Sequence, residues 1–356
     1  MSKILSRLPE IKFEADQVGD AASFFSLRPL PQSSDFFPAA DTMELFLTNF
    51  LTALPLFALI AIGYLSAVVK LVTPQIGQAL SKFAFNVALP ILLFRLMSDI
   101  THLPPPDWNI ALAFFGSCFL VFAIGRFLGH RFLKLNSDER TIFGMAAVFS
   151  NNVQLGIPVA VALLGQEAMP SIAIIFSLNG FLMWTLVTIA IELGRAKSPS
   201  IVTTVTKGTL QTIKNPIVIG IILGFLWSLT DLSMPVPMAK TIAMMADAAA
   251  PVALFAVGVG LTQYRITANL PTTALITFLK LGLQPLLVYG LCRLFNLGHE
   301  AMQATCLLAC LPVGVNVYIM AQEFKVMQGP TANSLLVTTA LASVTMPLIM
   351  SCLGLL

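Results

Sequence analysis

Long apolar segments, each close to the length that crosses a membrane, fill most of this 356-residue chain. Apolar residues make up 57% of the sequence and charged residues 10%, whereas soluble domains have about 45–50% and about 25%. A helix needs about 20 apolar residues to cross the hydrocarbon core. The sequence therefore predicts an all-α integral membrane protein. Its ten candidate transmembrane spans are 45–69, 75–98, 108–133, 140–164, 171–193, 212–230, 239–262, 271–293, 300–322 and 331–355.

Lysine and arginine residues are concentrated in loops 131–140 and 195–214, after the third and fifth spans. Loops 101–107 and 165–170, on the opposite side, contain neither residue. Because cytoplasmic loops are enriched in Lys and Arg, we expect a cell (inner) membrane protein with both termini outside the cytoplasm. The net charge of +3, without a basic tract, argues against nucleic acid as a partner.

The two halves of the chain match at an offset of 161 residues. Several prolines and glycines coincide, and FNVALP at 85–90 corresponds to ADAAAP at 246–251. Each half holds five spans, an odd number, so the second copy must be inverted in the membrane, as in many secondary transporters. We expect residues 44–200 and 201–356 to form the two five-helix repeats. Residues 1–43 form a disordered or artefactual extension in this interpretation.

Polar residues, glycine and proline interrupt spans four and nine, in FSNNVQLGIPVA at 149–160 and LACLPVGVNVYIMA at 308–321. Proline breaks helical hydrogen bonding, so both spans are predicted to be discontinuous at mid-depth. The new helix N-termini can hold an anion, and the amides can act as ligands. The alternative is that these residues cap kinks and join helices. The candidate substrate-binding residues are Asn151, Asn152, Gln154, Gly156, Pro158, Pro312, Gly314 and Asn316.

Three further polar groups are candidates for ion coupling or support. Asp247 lies four residues before Pro251, and Asn86 is its counterpart in the first repeat. A carboxylate inside a membrane suggests proton or cation handling, with a cap beside the proline as the alternative. Lys280 lies near the middle of span eight. It either extends towards an interface, pairs with Asp247, or stands in for a coupling cation.

Enzymatic and metal chemistry have little support in the sequence. Cys306 and Cys310 share a helix face but have no histidine nearby, so we expect apolar packing rather than a metal site. The spans contain neither H-E-x-x-H nor G-x-S-x-G, and there is no phosphate-binding loop for ATP hydrolysis. We therefore expect a protein that is not an enzyme and that uses no cofactor.

SNNVQLGIPVAVALLG in span four and LPVGVNVYIMAQEF in span nine resemble the auxin efflux carrier family, over about residues 44–356. The resemblance implies ten helices in an inverted repeat, with discontinuous spans four and nine that cross at their prolines. It also implies an elevator-like movement of a transport domain. Bacterial members are associated with malonate and related carboxylates, and the short loop between spans five and six is similar to theirs. The crossover residues that the resemblance assigns to substrate contact are Asn151, Asn152, Pro158, Pro312 and Asn316.

The leading hypothesis is a secondary active transporter, or permease, for a small organic anion such as malonate. Its partners would be the lipid bilayer, H⁺ or Na⁺ as a coupling ion, and a second copy in a homodimer. One alternative is a cation/proton exchanger that uses Asp247 and Lys280 as its ion-handling pair. A membrane-embedded enzyme and a sensor on the same scaffold are further alternatives.

Overall fold

The computed structural model describes six stretches of the chain: residues 39–98, 107–165, 168–194, 214–230, 232–264 and 269–355. Side chains are described from residue 46 onward. Most of the predicted extension 1–43 and most of the basic loop 195–214 lie outside these stretches, so both remain predictions. Within the described stretches every regular element is a helix, apart from one isolated β-bridge, and residues 41–356 belong to one compact unit.

Seven of the described helices are long and apolar enough to cross a membrane, which confirms an all-α membrane protein. They are the helices that end at Val68, Met97, Leu133, Gly194, Leu261, Leu294 and Cys352. Expected spans four and nine are each divided into two shorter helices. The helices are α1 (Ala39–Val68), α2 (Pro74–Met97), α3 (Asn109–Leu133), α4 (Ser137–Val148), α5 (Asn152–Leu164), α6 (Met169–Gly194), α7 (Pro216–Ser228), α8 (Val236–Leu261), α9 (Leu270–Leu294), α10 (His299–Cys310), α11 (Val315–Phe324) and α12 (Gln328–Cys352).

Local sequence signals explain where several helices begin. Asn136 caps α4 by accepting hydrogen bonds from two backbone N–H groups, and the Glu139 carboxylate accepts one from the Asn136 backbone N–H. This reciprocal capping box satisfies donors that have no partner within the helix. Asn215 caps α7 in a similar way, and Pro216 follows at the first helical position. A proline there loses no hydrogen bond, because that N–H would lack a helical partner anyway.

Three helices continue through an internal proline by widening locally. π-helical turns at Ala84–Ala88, Asn152–Gly156 and Leu279–Leu283 end two residues before Pro90, Pro158 and Pro285. In each turn the backbone N–H after the turn bonds to the carbonyl five residues back instead of four. The wider turn moves the carbonyl four residues before the proline away from the proline ring, which would otherwise clash with it. The helix can then continue without the hydrogen bond that a proline cannot donate. The break that the sequence predicts in span four is present, but it lies at 149–151, before Pro158.

Close backbone contacts divide most of the described helices into two groups, and the first group contains α2, α7 and α8. A Cβ atom added to Gly220 would lie 2.5 Å from the carbonyl oxygen of Pro90, and one added to Gly224 would lie 2.6 Å from that of Phe94. These glycines let α7 pack directly on the backbone of α2, which also packs on α8. The second group contains α3, α4, α6, α9, α10, α11 and α12, which pack mainly on one another. Helix α5 contacts both groups.

Large apolar side chains cover much of the outer surface. On α7 the exposed residues include Ile219, Leu223, Phe225 and Leu226, and α3 exposes Phe119 and Leu120 among others. A water-soluble protein of this size would rarely expose so much contiguous apolar surface. Helices with this surface are suited to lipid, because their backbone hydrogen bonds are satisfied internally.

Candidate substrate-binding site at the paired helix breaks

The breaks in the two discontinuous segments meet inside the protein. Helix α4 ends at Val148 and α10 ends at Cys310, and an antiparallel β-bridge joins Ser150 to Val313. The N–H of Asn151 donates to the Pro312 carbonyl at 2.9 Å, and the N–H of Gly314 donates to the Phe149 carbonyl at 2.8 Å. Unpaired backbone groups are costly at membrane depth. Each break therefore supplies hydrogen bonds that the other needs.

Two glycines allow the broken segments to approach closely. A Cβ atom on Gly314 would lie 2.9 Å from the carbonyl oxygen of Ser150, which is closer than side-chain carbons ordinarily come to backbone. A Cβ atom on Gly156 would lie 2.8 Å from the Leu311 side chain. The first contact is with backbone and cannot relax easily, whereas the second is with the flexible end of a leucine. Gly314 is therefore the stricter requirement.

A cavity of about 240 Å³ lies beside the paired breaks. Four of the expected substrate-binding residues line it, namely Asn151, Asn152, Gln154 and Asn316. The other four do not line it. Its full lining is Phe85, Phe149, Ser150, Asn151, Asn152, Val153, Gln154, Phe176, Asn179, Gly180, Trp184, Asn215, Val315, Asn316 and Ile319.

The expected residues that do not line the cavity have backbone roles. Pro312 and Gly314 contribute a carbonyl and an N–H to the pairing of the breaks. Gly156 packs against the end of the second break. Pro158 is buried within α5, seven residues beyond Asn151, so the first segment crosses the second at Ser150 and not at its proline. The crossing at both prolines that the family resemblance implies holds only for Pro312.

Asn152 has an unusual environment within the cavity wall. Its side chain is 2% exposed, and neither its amide nitrogen nor its amide oxygen has a hydrogen-bond partner among the described residues. A buried amide without partners costs about 1–3 kcal/mol for each group left unsatisfied. Proteins rarely retain such groups without a partner, so Asn152 is a candidate for contact with a ligand.

The cavity is polar without being charged. Among the described residues its lining includes five asparagines, a glutamine and a serine, but no ionisable side chain. Asn152 begins α5 and Val315 begins α11, so two helix N-termini lie at its wall. Each N-terminus has a partial positive charge and N–H groups without helical partners. Helix N-termini of this kind are suited to anions.

The C-terminal ends at the same breaks are occupied by side chains of α9. The Lys280 ammonium donates to the carbonyl of Ala309, in the last turn of α10, at 2.8 Å. The Gln284 amide donates to the carbonyl of Val148, the last residue of α4, at 2.9 Å. Lys280 also donates to Gln284 at 2.5 Å, so one linked pair of side chains satisfies both helix ends.

Asp247 and Lys280 do not pair, contrary to one sequence-based expectation. Asp247 accepts a hydrogen bond from Arg95 at 3.0 Å, and both of these side chains are largely exposed. Lys280 is fully buried and extends towards no interface. Asn86 is also exposed, in the π-helical turn of α2, although its neighbour Phe85 lines the cavity. Neither Asp247 nor Asn86 lines the cavity.

Sequence reasoning missed several polar groups at the site. Asn179, on α6, is 6% exposed and lines the cavity, and Asn215 lines it from the start of α7. A lone amide inside the apolar stretch SLNGFLMW was the available signal for Asn179. Ser150 links the cavity to the buried lysine, since its hydroxyl accepts from Lys280 at 2.7 Å. No comparable signal marked Asn215, whose position depends on the tertiary packing.

Metal ligation has no support in the described residues. No group of three or more His, Cys, Asp and Glu side chains comes together there in a way that could hold a metal ion. Cys306 and Cys310 are buried as free thiols in α10.

Comparison with known proteins identifies the family. Residues 49–350 match the family described as membrane transport protein. The chain belongs to this family, which includes the auxin efflux carriers. The membership agrees with a transporter and not an enzyme.

Three relatives show how this family varies. A Rhizobium meliloti protein named "Putative malonate transporter" is 31% identical over 82% of this chain and 92% of its own length. Auxin efflux carrier component 8 of Arabidopsis thaliana is 24% identical over 76% of this chain and 88% of its own length. The lysosomal cholesterol signaling protein of Mus musculus is 25% identical over 83% of this chain, which covers only 36% of that relative.

Proposed function

We propose that this membrane transport protein is a secondary active transporter that moves a small organic carboxylate, such as malonate, by alternating access. The observation that carries the proposal is the cavity wall, where the unpartnered amide of Asn152 lies beside two helix N-termini. Backbone N–H groups and amides at helix N-termini favour a negatively charged ligand. The name of the Rhizobium meliloti relative makes malonate the first substrate to test.

The proposed architecture has ten spans in two inverted sets of five. The seven long helices supply seven spans, the pairs α4/α5 and α10/α11 supply one discontinuous span each, and α7 supplies the tenth. Helix α7 is 13 residues long, and residues 195–213 before it lie outside the described part of the chain. In this arrangement both termini are outside the cytoplasm, in the inner membrane.

The position of the cavity supports a relative movement of the two helix groups. Phe85 comes from α2 and Asn215 from the start of α7, whereas Asn179 and Asn316 come from helices of the other group. The cavity therefore lies where the groups meet. Sliding or rocking of one group against the other would expose the cavity to each side in turn, as in other inverted-repeat transporters.

The cation/proton exchanger hypothesis depended on Asp247 and Lys280 acting as a pair. Since Asp247 pairs with Arg95 and Lys280 bonds to Ser150, Gln284 and Ala309, that pair does not exist. The site that the breaks build is instead suited to an anion. We therefore retain the carboxylate transporter alone.

The test is uptake of radiolabelled carboxylates into proteoliposomes that contain the purified protein. Malonate uptake above that of empty liposomes is the expected result. Asn152→Ala and Asn316→Ala should abolish it without reducing the amount of folded protein. Asn49→Ala is the matched control, because Asn49 bonds to Ser351 away from the cavity. Absence of flux for every carboxylate, or full flux in both cavity variants, would refute the proposal.

A further inference from the structure

Lys280 is a fully buried lysine, with no carboxylate among its described hydrogen-bond partners. Its side chain is 0% exposed, and its ammonium donates three hydrogen bonds to neutral oxygens. The acceptors are the Ser150 hydroxyl at 2.7 Å, the Gln284 amide oxygen at 2.5 Å and the Ala309 carbonyl at 2.8 Å. The ion pair between Arg95 and Asp247 does not involve Lys280. A charged side chain in this setting is expensive and usually functional.

The three oxygen atoms that accept from Lys280 are arranged as they would be around a small monovalent cation. Ala309 lies in the last turn of α10, where the helix has a partial negative charge, and Ser150 lies in the break after α4. Hydroxyl, amide and carbonyl oxygens are the neutral ligands that hard cations accept. The ammonium therefore occupies a position where oxygens from both breaks and from α9 converge.

We propose that Lys280 is a tethered cation, built into the chain in the place that a free coupling cation would otherwise take. This inference rests on the proposed transport of a carboxylate and specifies how that transport is energised: it does not require Na⁺. Lys280 does not line the cavity, but Ser150 does. Lys280 is thus a positioning residue, which holds the two breaks together and presents a positive charge behind Ser150.

The tethered charge has two consequences for the carrier. It stabilises the negative ends of α4 and α10 directly and through Gln284, so their breaks stay assembled when the cavity is empty. It also adds positive potential at the cavity wall without placing an ionisable group in contact with the substrate. An anion can then bind without a soluble cation binding beside it.

The first measurement uses the wild-type protein. Malonate uptake into proteoliposomes should be the same in buffers of Na⁺ and of N-methylglucamine at equal ionic strength and pH. Uptake that requires Na⁺ would overturn the proposal, because the cation site would then not be filled by the lysine. This outcome does not depend on the folding of any variant.

The second measurement replaces the tethered cation with a free one. Lys280→Ala removes the equivalent of n-propylammonium, and it should reduce uptake roughly tenfold or more because a charged hydrogen-bond donor is lost. Added n-propylammonium should restore a substantial part of that uptake. Lys280→Met keeps most of the volume without the charge, so its uptake should be as low as that of Lys280→Ala and should not respond to n-propylammonium. Full activity of Lys280→Met, or failure of n-propylammonium to rescue Lys280→Ala, would overturn the proposal.

A readout without substrate separates this inference from the proposed function. n-Propylammonium should raise the melting temperature of purified Lys280→Ala, and should leave those of the wild type and Lys280→Met unchanged. If no carboxylate is transported but this selective stabilisation is observed, the proposed function fails and the cation site stands. If carboxylates are transported but Lys280→Ala is not stabilised, the cation site fails alone.

Discussion

Replacing Asn152 with leucine should separate ligand binding from stability. Leucine has nearly the shape of asparagine but removes two polar atoms that have no partners among the described residues. Each unsatisfied group costs the folded state about 1–3 kcal/mol, so their removal should not lower stability. A hydrogen bond from the amide to a carboxylate contributes about 1.5–3 kcal/mol. Its loss should weaken binding roughly 10- to 150-fold.

The matched substitution is Asn49→Leu. The Asn49 amide is also buried, but it donates to the Ser351 hydroxyl at 2.7 Å, far in sequence and outside the cavity. Breaking a side-chain hydrogen bond of this kind in a membrane protein costs about 0.6 kcal/mol, with a maximum near 1.7 kcal/mol. Asn49→Leu should therefore lower the melting temperature while malonate affinity stays at the wild-type value. The two variants should show opposite patterns.

Melting temperature and affinity can be measured on the same detergent-purified samples, by thermal shift with and without malonate. For Asn152→Leu we expect an unchanged or higher melting temperature without ligand, and a ligand-induced shift that appears only at much higher malonate concentration. Wild-type affinity would show that the amide does not contact substrate. A loss of stability as large as that of Asn49→Leu would show that the amide already has a partner in the ligand-free protein.

Three other substitutions test the geometry of the site. Gly314→Ala should abolish uptake, because its Cβ would lie 2.9 Å from the Ser150 carbonyl oxygen. Gly290→Ala should retain uptake, because a Cβ there has no described atom within 4 Å apart from its own helix backbone and chain neighbours. Active Gly314→Ala would refute the close approach. Gly180→Leu should raise the KM for malonate by filling part of the cavity, and an unchanged KM would place the substrate elsewhere. Asp247→Asn should leave the pH profile of uptake unchanged, because the carboxylate is exposed and outside the cavity; a shifted profile would assign it to coupling.

The sequence predicted the discontinuous spans correctly but misplaced the cause of one break. Pro158 and Pro312 looked equivalent, since each lies near polar residues within an apolar segment. In the structure, the π-helical turn at 152–156 lets the helix continue through Pro158, and the helix is interrupted earlier, at Ser150. Pro55, Pro251 and Pro347 also lie inside continuous helices, so a proline in an apolar segment does not by itself mark a break.

The part of the candidate site that lies next to the helix breaks in the sequence could be predicted. Asn151, Asn152 and Asn316 flank the breaks and line the cavity. Asn215 was not predictable, because only the packing of α7 on α2 brings it to the same wall. The expectation that Asp247 lies buried inside the membrane was wrong. A carboxylate in an apolar stretch suggests burial, but Asp247 is on an exposed helix face and pairs with Arg95.

The two kinds of helix end at the paired breaks have different partners, and this difference explains how a neutral cavity can select an anion. The carbonyl ends of α4 and α10 are satisfied permanently by Gln284 and Lys280. The N-terminal ends of α5 and α11 border the cavity, where a ligand can reach them. Since the carbonyl ends are neutralised while the N-terminal ends border the cavity, the helix dipoles favour an anion there. In the proposed transporter a carboxylate would meet helix dipoles and amides, and no ionisable side chain among the described lining residues would hold it too tightly to be released.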